Sequence, residues 1–529
     1  MTLDVQAVFY LYIMKKLLLF TALLIFTSGL SAQNTFNKRL RFDFLAAVLT
    51  SIQPTDSCYY ATGIIADTIF PYNTGNVFVK FDLEGNVQLL KTITDTLATY
   101  ETWRETLSFT HEGNLAVSGF SIDSTAKLMI IKYDTEGDTL FLKKHFSFFY
   151  PDTHFAGPTA MGITSENGFI IGDRNENPNG TNNYDMILLK LDSLGNLIWK
   201  KKYGDPYFDR PGSIIIQEDG YIIGGIKDNT TLVNSNYFSQ VHIFKVDTAG
   251  QMIWNYLSPF HRLMDEAHSM VATEDGGLVI ASANGIEENN SSVNGLYWKS
   301  GLIFKLNANR QIEWECEFRD PTFPTLFNSF SKVVPVSDGS GFVATGYFVE
   351  TYPNLHQDLH GWLVKASPEG DSLWSRKLRF LDSYGDRHFL YDVKETVDGG
   401  FIMVGQAKEF NAPAYPQQAW ILKVDQYGCL VPGCHLINDL DEAEVDAFRL
   451  ILYPNPVSDY LNIYYQARSL PKNGRFTIMN AEGKVVREFA ATQNDVTQIL
   501  PVYDWAKGGY FLQFWEGVEL RGSRKFLVQ

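Results

Sequence analysis

The sequence predicts an all-β protein: a seven-bladed β-propeller followed by a small carboxyl-terminal β-sandwich. Three observations predict it. A hairpin pattern recurs seven times at near-regular spacing, each copy follows two further short apolar runs, and residues 448–529 carry their own alternating strands. A chain of 529 residues exceeds one ordinary core, so several domains or a repeat array are expected.

Residues 1–32 read as a Sec signal peptide. Met14-Lys15-Lys16 supplies the positive start, residues 17–26 an apolar run too short to span a bilayer comfortably, and Ser31-Ala32 a cleavage point before Gln33. The true start is expected at Met14. No other apolar run is long enough to cross a membrane, so no transmembrane segment is expected in the mature protein. The net charge of −16 argues against nucleic acid or an anionic membrane as partner, because phosphate is held by clustered Lys and Arg. Plain solubility accounts for the acidity.

Residues 33–436 hold the repeats. The template is Leu188 to Lys200, LLKLDSLGNLIWK, two strands joined by a tight turn. Gly195 suits the positive φ of that turn, and Asp192 can cap it. Aligned on its lysine, the pattern recurs at Lys80, Lys132, Lys190, Lys245, Lys305, Lys365 and Lys423, spaced 52 to 60 residues apart. Two residues on stand Asp82, Asp134, Asp192, Asp247, Asn307, Ser367 and Asp425. Three further on stand Gly85, Gly137, Gly195, Gly250, Arg310, Gly370 and Gly428. Four beyond those stand Leu89, Phe141, Trp199, Trp254, Trp314, Trp374 and Pro432. A second run precedes each hairpin, as in Gly168-Phe-Ile-Ile and Gly400-Phe-Ile-Met, and a third lies upstream, as in Ser213-Ile-Ile-Ile-Gln217. Each repeat therefore supplies four strands, a to d, and four antiparallel strands at this period indicate a propeller blade. The Lys and Asp of strand c recur in every copy, which favours ion pairing between blades or packing over ligand contact; the Trp column reads as core.

The ends of the array argue for closure. Pro432 cannot donate to a ladder, so the seventh repeat lacks a good strand d. Lys38-Arg-Leu-Arg-Phe42 has no hairpin of its own and resembles the d strand Arg376-Lys-Leu-Arg-Phe380. The amino end is expected to supply the missing outer strand and remove two exposed edges. Of four cysteines only Cys429 and Cys434 lie close, with a turn-forming Leu-Val-Pro-Gly between them, and a disulfide is expected there.

The K-x-D-x-x-G-x-x-x-W pattern with its D-G-G-[FY]-I-I-x-G strand resembles the delta-60-type and quinoprotein-like propeller repeats of Bacteroidetes secreted proteins. The resemblance concerns fold and says little of activity.

Residues 437–447, with Asp439, Asp441, Glu442, Glu444 and Asp446, read as a solvated acidic linker. In residues 448–529, short alternating strands with turns between them fit a β-sandwich. Pro454-Asn455-Pro456, Gly483-Lys-Val-Val486 and Gly508-Gly509-Tyr510-Phe-Leu512 make this segment similar to the type A carboxyl-terminal sorting domain of the type IX secretion system. Gln529 departs from its commoner terminal Lys. The resemblance implies engagement of the type IX machinery and export to the extracellular face of the outer membrane or beyond. It also implies removal of the domain.

Chemistry is thinly marked. His356 and His360 have a helical metal spacing but fall in a β protein. The segment from Asp173 to Asp185 is oxygen-rich but lacks calcium-loop spacing and reads as a turn-rich loop. There is no nucleophile elbow, P-loop or dinucleotide fingerprint, and no adjacent cysteine pair like that of quinone-binding propellers. No catalytic residue, metal or cofactor is assigned, although a carboxylate pair of a hydrolase or lyase stays open. The expected function is non-catalytic binding of a glycan or surface protein. The alternatives are an extracellular hydrolase or lyase acting on polysaccharide or peptide, and a structural or gliding component of the cell surface.

In a meander blade the a–b and c–d turns share one end of the strands, and the b–c and d–a loops share the other. The first set is short and uniform. The second varies, the Gly-to-Lys distance running from 19 to 28 residues. It carries Tyr184, Tyr207, Tyr297, Tyr352, Tyr384 and Tyr415 as candidate binding residues, since rigid scaffolds place function on variable loops. Any ligand is expected on the b–c/d–a face, near the axis.

Overall fold

The computed structural model describes residues 33–66, 73–102, 104, 106–123, 125–146, 156–176, 184–204, 209–228, 239–259, 266–286, 298–318, 328–351, 357–381, 385–410, 417–431, 434, 448–453, 455–467, 473–491, 495–517 and 519–529. Among them there is no α-helix; the regular elements are strands. The chain divides into two compact units, Met1–Cys434 and His435–Gln529.

In the first unit the strands form small antiparallel sheets in sequence order. Four-stranded sheets span residues 46–93, 156–203, 209–257 and 266–318, and a five-stranded one spans 99–145. An eight-stranded sheet holds two sets, 329–378 and 387–424, joined by one parallel pair, Leu359 and Arg387. Read along the chain, these are seven successive sets of strands. Each packs by its first strand on the set before it, and Ala46–Pro54 of the first set packs on the strands of the last.

Position within a set explains composition. Strands b and c are covered on both faces and read as continuous apolar runs: Phe169, Ile170 and Ile171 of one, and Met186 to Leu189 of the next, are fully buried. Strand d is an edge and keeps exposed residues at its start, such as Leu197 and Ile198. The c–d turn follows its residue types. Asp192 Oδ1 accepts from the N–H groups of Leu194 (2.9 Å) and Asn196 (2.8 Å), and Gly195 has a φ of 75°. The same cap recurs at Asp134, Asp247, Asn307 and Asp425. Arg310 takes the turn position at φ 64° without being glycine, and its guanidinium lies 4.9 Å over the Trp254 ring.

The aromatic column of strand d packs on the next set's turn glycine, where a Cβ would meet the ring. Phe141 covers Gly195, Trp199 covers Gly250, Trp314 covers Gly370 and Trp374 covers Gly428. Trp199 and Trp314 also donate their indole N–H to Thr248 O (3.2 Å) and Pro368 O (3.0 Å) of the same neighbours.

The seventh set is completed by the amino end. Phe36–Leu40 pairs antiparallel with Gln417–Val424, Phe36 opposite Lys423 and Leu40 opposite Ala419. Trp420 donates its indole N–H to Asn37 Oδ1 (2.7 Å), and Phe36 takes the aromatic place by covering Gly85 of the first set. The sequence placed this strand at Lys38–Phe42. It lies slightly earlier because the chain turns at Phe42–Phe44, and both rings pack on the core of the first and last sets. Pro432 lies outside the described residues. Cys429 and Cys434 are joined by a disulfide, their Cα atoms 5.7 Å apart.

Strand a carries a bulge in almost every set. The register slips between Leu49 and Ser51, Pro158 and Ala160, Pro211 and Ser213, Ala267 and Ser269, Phe330 and Lys332, and Leu390 and Asp392. In the second set the strand is interrupted instead, between Thr102 and Ser108. The bulge drives a strand-a carbonyl toward strand b, so glycine is required opposite: a Cβ on Gly63, Gly346 or Gly405 would overlap the carbonyl oxygen of Val48, Ser329 or Phe389.

The second unit has two antiparallel sheets. Phe448–Tyr453, Tyr460–Ala467 and Asp495–Pro501 form one; Val485–Ala490, Gly474–Asn480, Gly508–Glu516 and Glu519–Val528 form the other. Their apolar faces share one core, with Leu461, Ile463 and Leu500 from the first and Ile478, Leu512, Phe514 and Phe526 from the second. Strand Gly508–Glu516 alternates as expected, burying Tyr510, Leu512 and Phe514. Asn455, before a cis bond to Pro456, clamps the last strand: its amide donates to Lys525 O (3.0 Å) and its carbonyl accepts from Leu527 N–H (2.8 Å). Pro454 lies outside the described residues.

Candidate functional site

Of the six tyrosines expected to mark a ligand face, Tyr207, Tyr297, Tyr352, Tyr384 and Tyr415 lie outside the described residues. Tyr184 is described only as the first residue of the strand Tyr184–Leu191. Strand a of the seventh set nevertheless carries a cluster that sequence reading missed, with Arg387 at that same end and Tyr391 at the middle of the strand.

That strand, Arg387–Glu395, bulges at Tyr391. Phe389 and Tyr391 stack with their rings 6.3 Å apart, and Phe389 meets Tyr347 of the sixth set edge-on at 5.2 Å. Tyr391 is 6% exposed, and burial raises its hydroxyl above the ordinary range; the nearby charge of Arg104 only partly offsets this. The Arg104 guanidinium lies 4.1 Å over the Tyr391 ring. Arg104 comes from the interruption in strand a of the second set, so it bridges two sets that both pack on the first. Arg104 is exposed, and no carboxylate among the described residues pairs with it. At the start of the same strand, exposed Arg387 lies 5.9 Å over Phe410, whose ring is 57% exposed.

Buried polar groups beside the cluster have structural roles. Strand a pairs on one side only, so alternate N–H groups point out of the ladder, and the neighbouring set supplies an acceptor. Asp392 Oδ2 accepts from Ile52 N–H (2.9 Å), Ser51 Oγ from Thr106 N–H (3.0 Å) and Ser213 Oγ from Met270 N–H (3.1 Å). His388 is held neutral: Nδ1 donates to Leu359 O (3.0 Å) and Nε2 accepts from Leu381 N–H (3.0 Å). Burial, the largest cause, pulls its pKa down to about 3. The unfolded chain then binds the extra proton below its own value of about 6.5, so this residue's contribution to stability is complete above 6.5. It is lost as pH falls toward 3, at about 1.4 kcal/mol per pH unit. Denaturant midpoints of the wild type are expected to fall between pH 6.5 and 4, and those of His388→Gln to start lower but fall less steeply. Parallel profiles would contradict this assignment.

The lysine column is also structural, but its partners differ from the expected ones. Lys132 pairs with Glu112 (2.7 Å), Lys245 with Asp219 (2.7 Å), Lys305 with Asp275 (2.5 Å), and Lys423 with Asp398. These carboxylates stand in the a–b turn of the same set, not in the next one. The Lys305 hydrogen bond, with those of Thr273 and Gly277, holds the Asp275 carboxyl far below the usual range. Only Lys80, bonded to Glu136 of the following set at 3.1 Å, pairs across sets among these.

His356 lies outside the described residues, and His360 Nε2 contacts Glu350 (2.9 Å). Asp173 and Asp185 sit in strands; Asp185 pairs with Lys202 at 2.9 Å. Among the described residues no three His, Cys, Asp or Glu side chains are grouped to hold a metal ion.

Residues 451–529 match the secretion system C-terminal sorting domain family. That domain marks proteins sent by the type IX system to the cell surface or extracellular space; this protein is exported by that route and engages its machinery. No curated protein matches the chain. Solved structures with a similar backbone include a PL25 polysaccharide lyase, an ulvan lyase, at 9% identity (74% of this chain, 97% of that one, TM-score 0.47). Extracellular domains 1–2 of Drosophila Semaphorin 1a are similar at 9% identity (76% and 90%, TM-score 0.42), and a Synechocystis apocarotenoid oxygenase variant at 11% (75% and 94%, TM-score 0.38). At these values the likeness carries nothing about ligand or activity.

Proposed function

We propose that this exported protein is a seven-bladed β-propeller whose b–c/d–a face binds a glycan or a surface protein without chemistry, followed by a small β-sandwich that serves as its sorting domain. Residues 1–32 would be the signal peptide, 33–436 the propeller, 437–447 the linker and 448–529 the sorting domain. Closure into a ring is supported by three features of the first and last sets: the strand Phe36–Leu40, the Phe36–Gly85 contact and the Asp392–Ile52 hydrogen bond.

The observation that carries the binding reading is Arg104. An exposed guanidinium held on a buried ring, reaching between sets that are not neighbours, would lie across the axial opening of such a ring. No ion pair among the described residues accounts for it, and a binding surface would. The test is a screen of the exported protein against polysaccharides, peptides and outer-membrane proteins, followed for both binding and product. Saturable binding without product is expected, and turnover would overturn the non-catalytic reading.

A further inference from the structure

Resting on the binding reading above, we infer that Arg104 anchors an oxyanion, a carboxylate or a sulfate, of an anionic polysaccharide laid along Tyr347 and Phe389. A guanidinium stacked face-on over a ring keeps its edge free, and its N–H groups form a planar fork that fits carboxylate and sulfate oxygens. The Arg104 guanidinium lies 4.1 Å over the centre of the Tyr391 ring, with no carboxylate partner among the described residues. Stacking also holds the side chain before the anion arrives, which lowers the ordering cost of binding.

Arg387 makes the ligand a polymer. Its guanidinium is likewise backed by a ring, Phe410, and it too is exposed with no carboxylate partner among the described residues. It precedes Tyr391 by four residues, about 13 Å along a strand. A chain with repeated charges can engage both cations at once, and the second contact then raises affinity by effective concentration. Phe389, between Arg387 and Tyr391 in the strand, keeps a partly exposed ring that meets Tyr347 edge-on. Such rings suit the C–H faces of sugars. The net charge of −16 repels polyanions at long range, so the two arginines have to act at contact distance.

The exported full-length chain is titrated at physiological salt with polygalacturonate, dextran sulfate, neutral dextran and polyglutamate. Binding to polygalacturonate, dextran sulfate or both is expected, with none to dextran; the preferred polymer distinguishes carboxylate from sulfate. Arg104→Gln is expected to weaken that binding about 10- to 100-fold. Arg104→Lys restores only part of it, because the fork is lost. Arg387→Gln weakens polymer binding, and all three variants keep a single cooperative melting transition. Equal affinity of wild type and Arg104→Gln, polyglutamate binding as tight as polygalacturonate, or no binding to either anionic polysaccharide would overturn the assignment. If wild type and Arg104→Gln capture a neutral glycan or a surface protein alike, the anchor falls and the binding reading stands. Failure to bind anything in the wider screen removes both.

Discussion

Deleting residues 34–44 is expected to lower the stability of the first unit by at least ~4 kcal/mol and to make it aggregate. The figure combines loss of a packed aromatic, Phe36, at about 3–5 kcal/mol, with an indole N–H left without its acceptor at about 1–3 kcal/mol. Trp420 is fully buried and donates to Asn37 Oδ1. Deletion also removes the Arg39–Glu409 ion pair and the bond from Asn37 Nδ2 to Arg379 O (2.8 Å). Gln417–Val424 then becomes an unpaired edge, and such an edge recruits other chains. Thermal melting and size-exclusion chromatography read both effects. The point variants Phe36→Ala and Asn37→Ala separate the ring from the hydrogen bond and are expected to give smaller losses of each kind. A truncated protein that stays monomeric and melts like the wild type would mean that the amino-terminal strand does not complete the seventh set.

Removing residues 448–529 is expected to abolish appearance outside the cell while leaving the first unit folded. The two units are separate, and the core of the second is built from its own residues. Fractionation should place the truncated protein in the periplasm, with a melting transition for the first unit like that of the intact chain. A milder probe is Asn455→Ala. It removes both hydrogen bonds that clamp the last strand and should cost that unit about 1–3 kcal/mol, with export reduced in proportion to unfolding. Truncated protein in the medium would show that export is encoded elsewhere.

Local chemistry explains how much of this could be read from the chain. The c–d turn needs only a capping Asp and a residue that tolerates positive φ, and both are visible at Asp192 and Gly195. Strands b and c are buried on both faces and therefore show as unbroken apolar runs. Pro432 and the stray strand near Lys38 pointed to closure because a missing ladder donor can be seen in sequence. Phe36 lies outside the Lys38–Phe42 match, and its role shows only in the contact with Gly85. The partners of the lysine column were misjudged because a–b turn carboxylates vary in type and position, from Glu112 to Asp398. The bulges were invisible, as a register slip leaves no residue signature beyond the glycine opposite, and Gly63 and Gly405 looked like ordinary strand glycines. Arg104 could not be foreseen, because its partner Tyr391 lies 287 positions away in sequence and the pairing is set by packing.

The claim that the b–c/d–a face is the binding face is tested most directly by amide hydrogen exchange of the exported protein, with and without saturating polygalacturonate. The account expects slowed exchange at residues 387–391 and around Arg104, with no change at the c–d turns. Protection at 192–196, 247–251 and 367–371, with none at 387–391, would contradict it by placing the ligand on the opposite face.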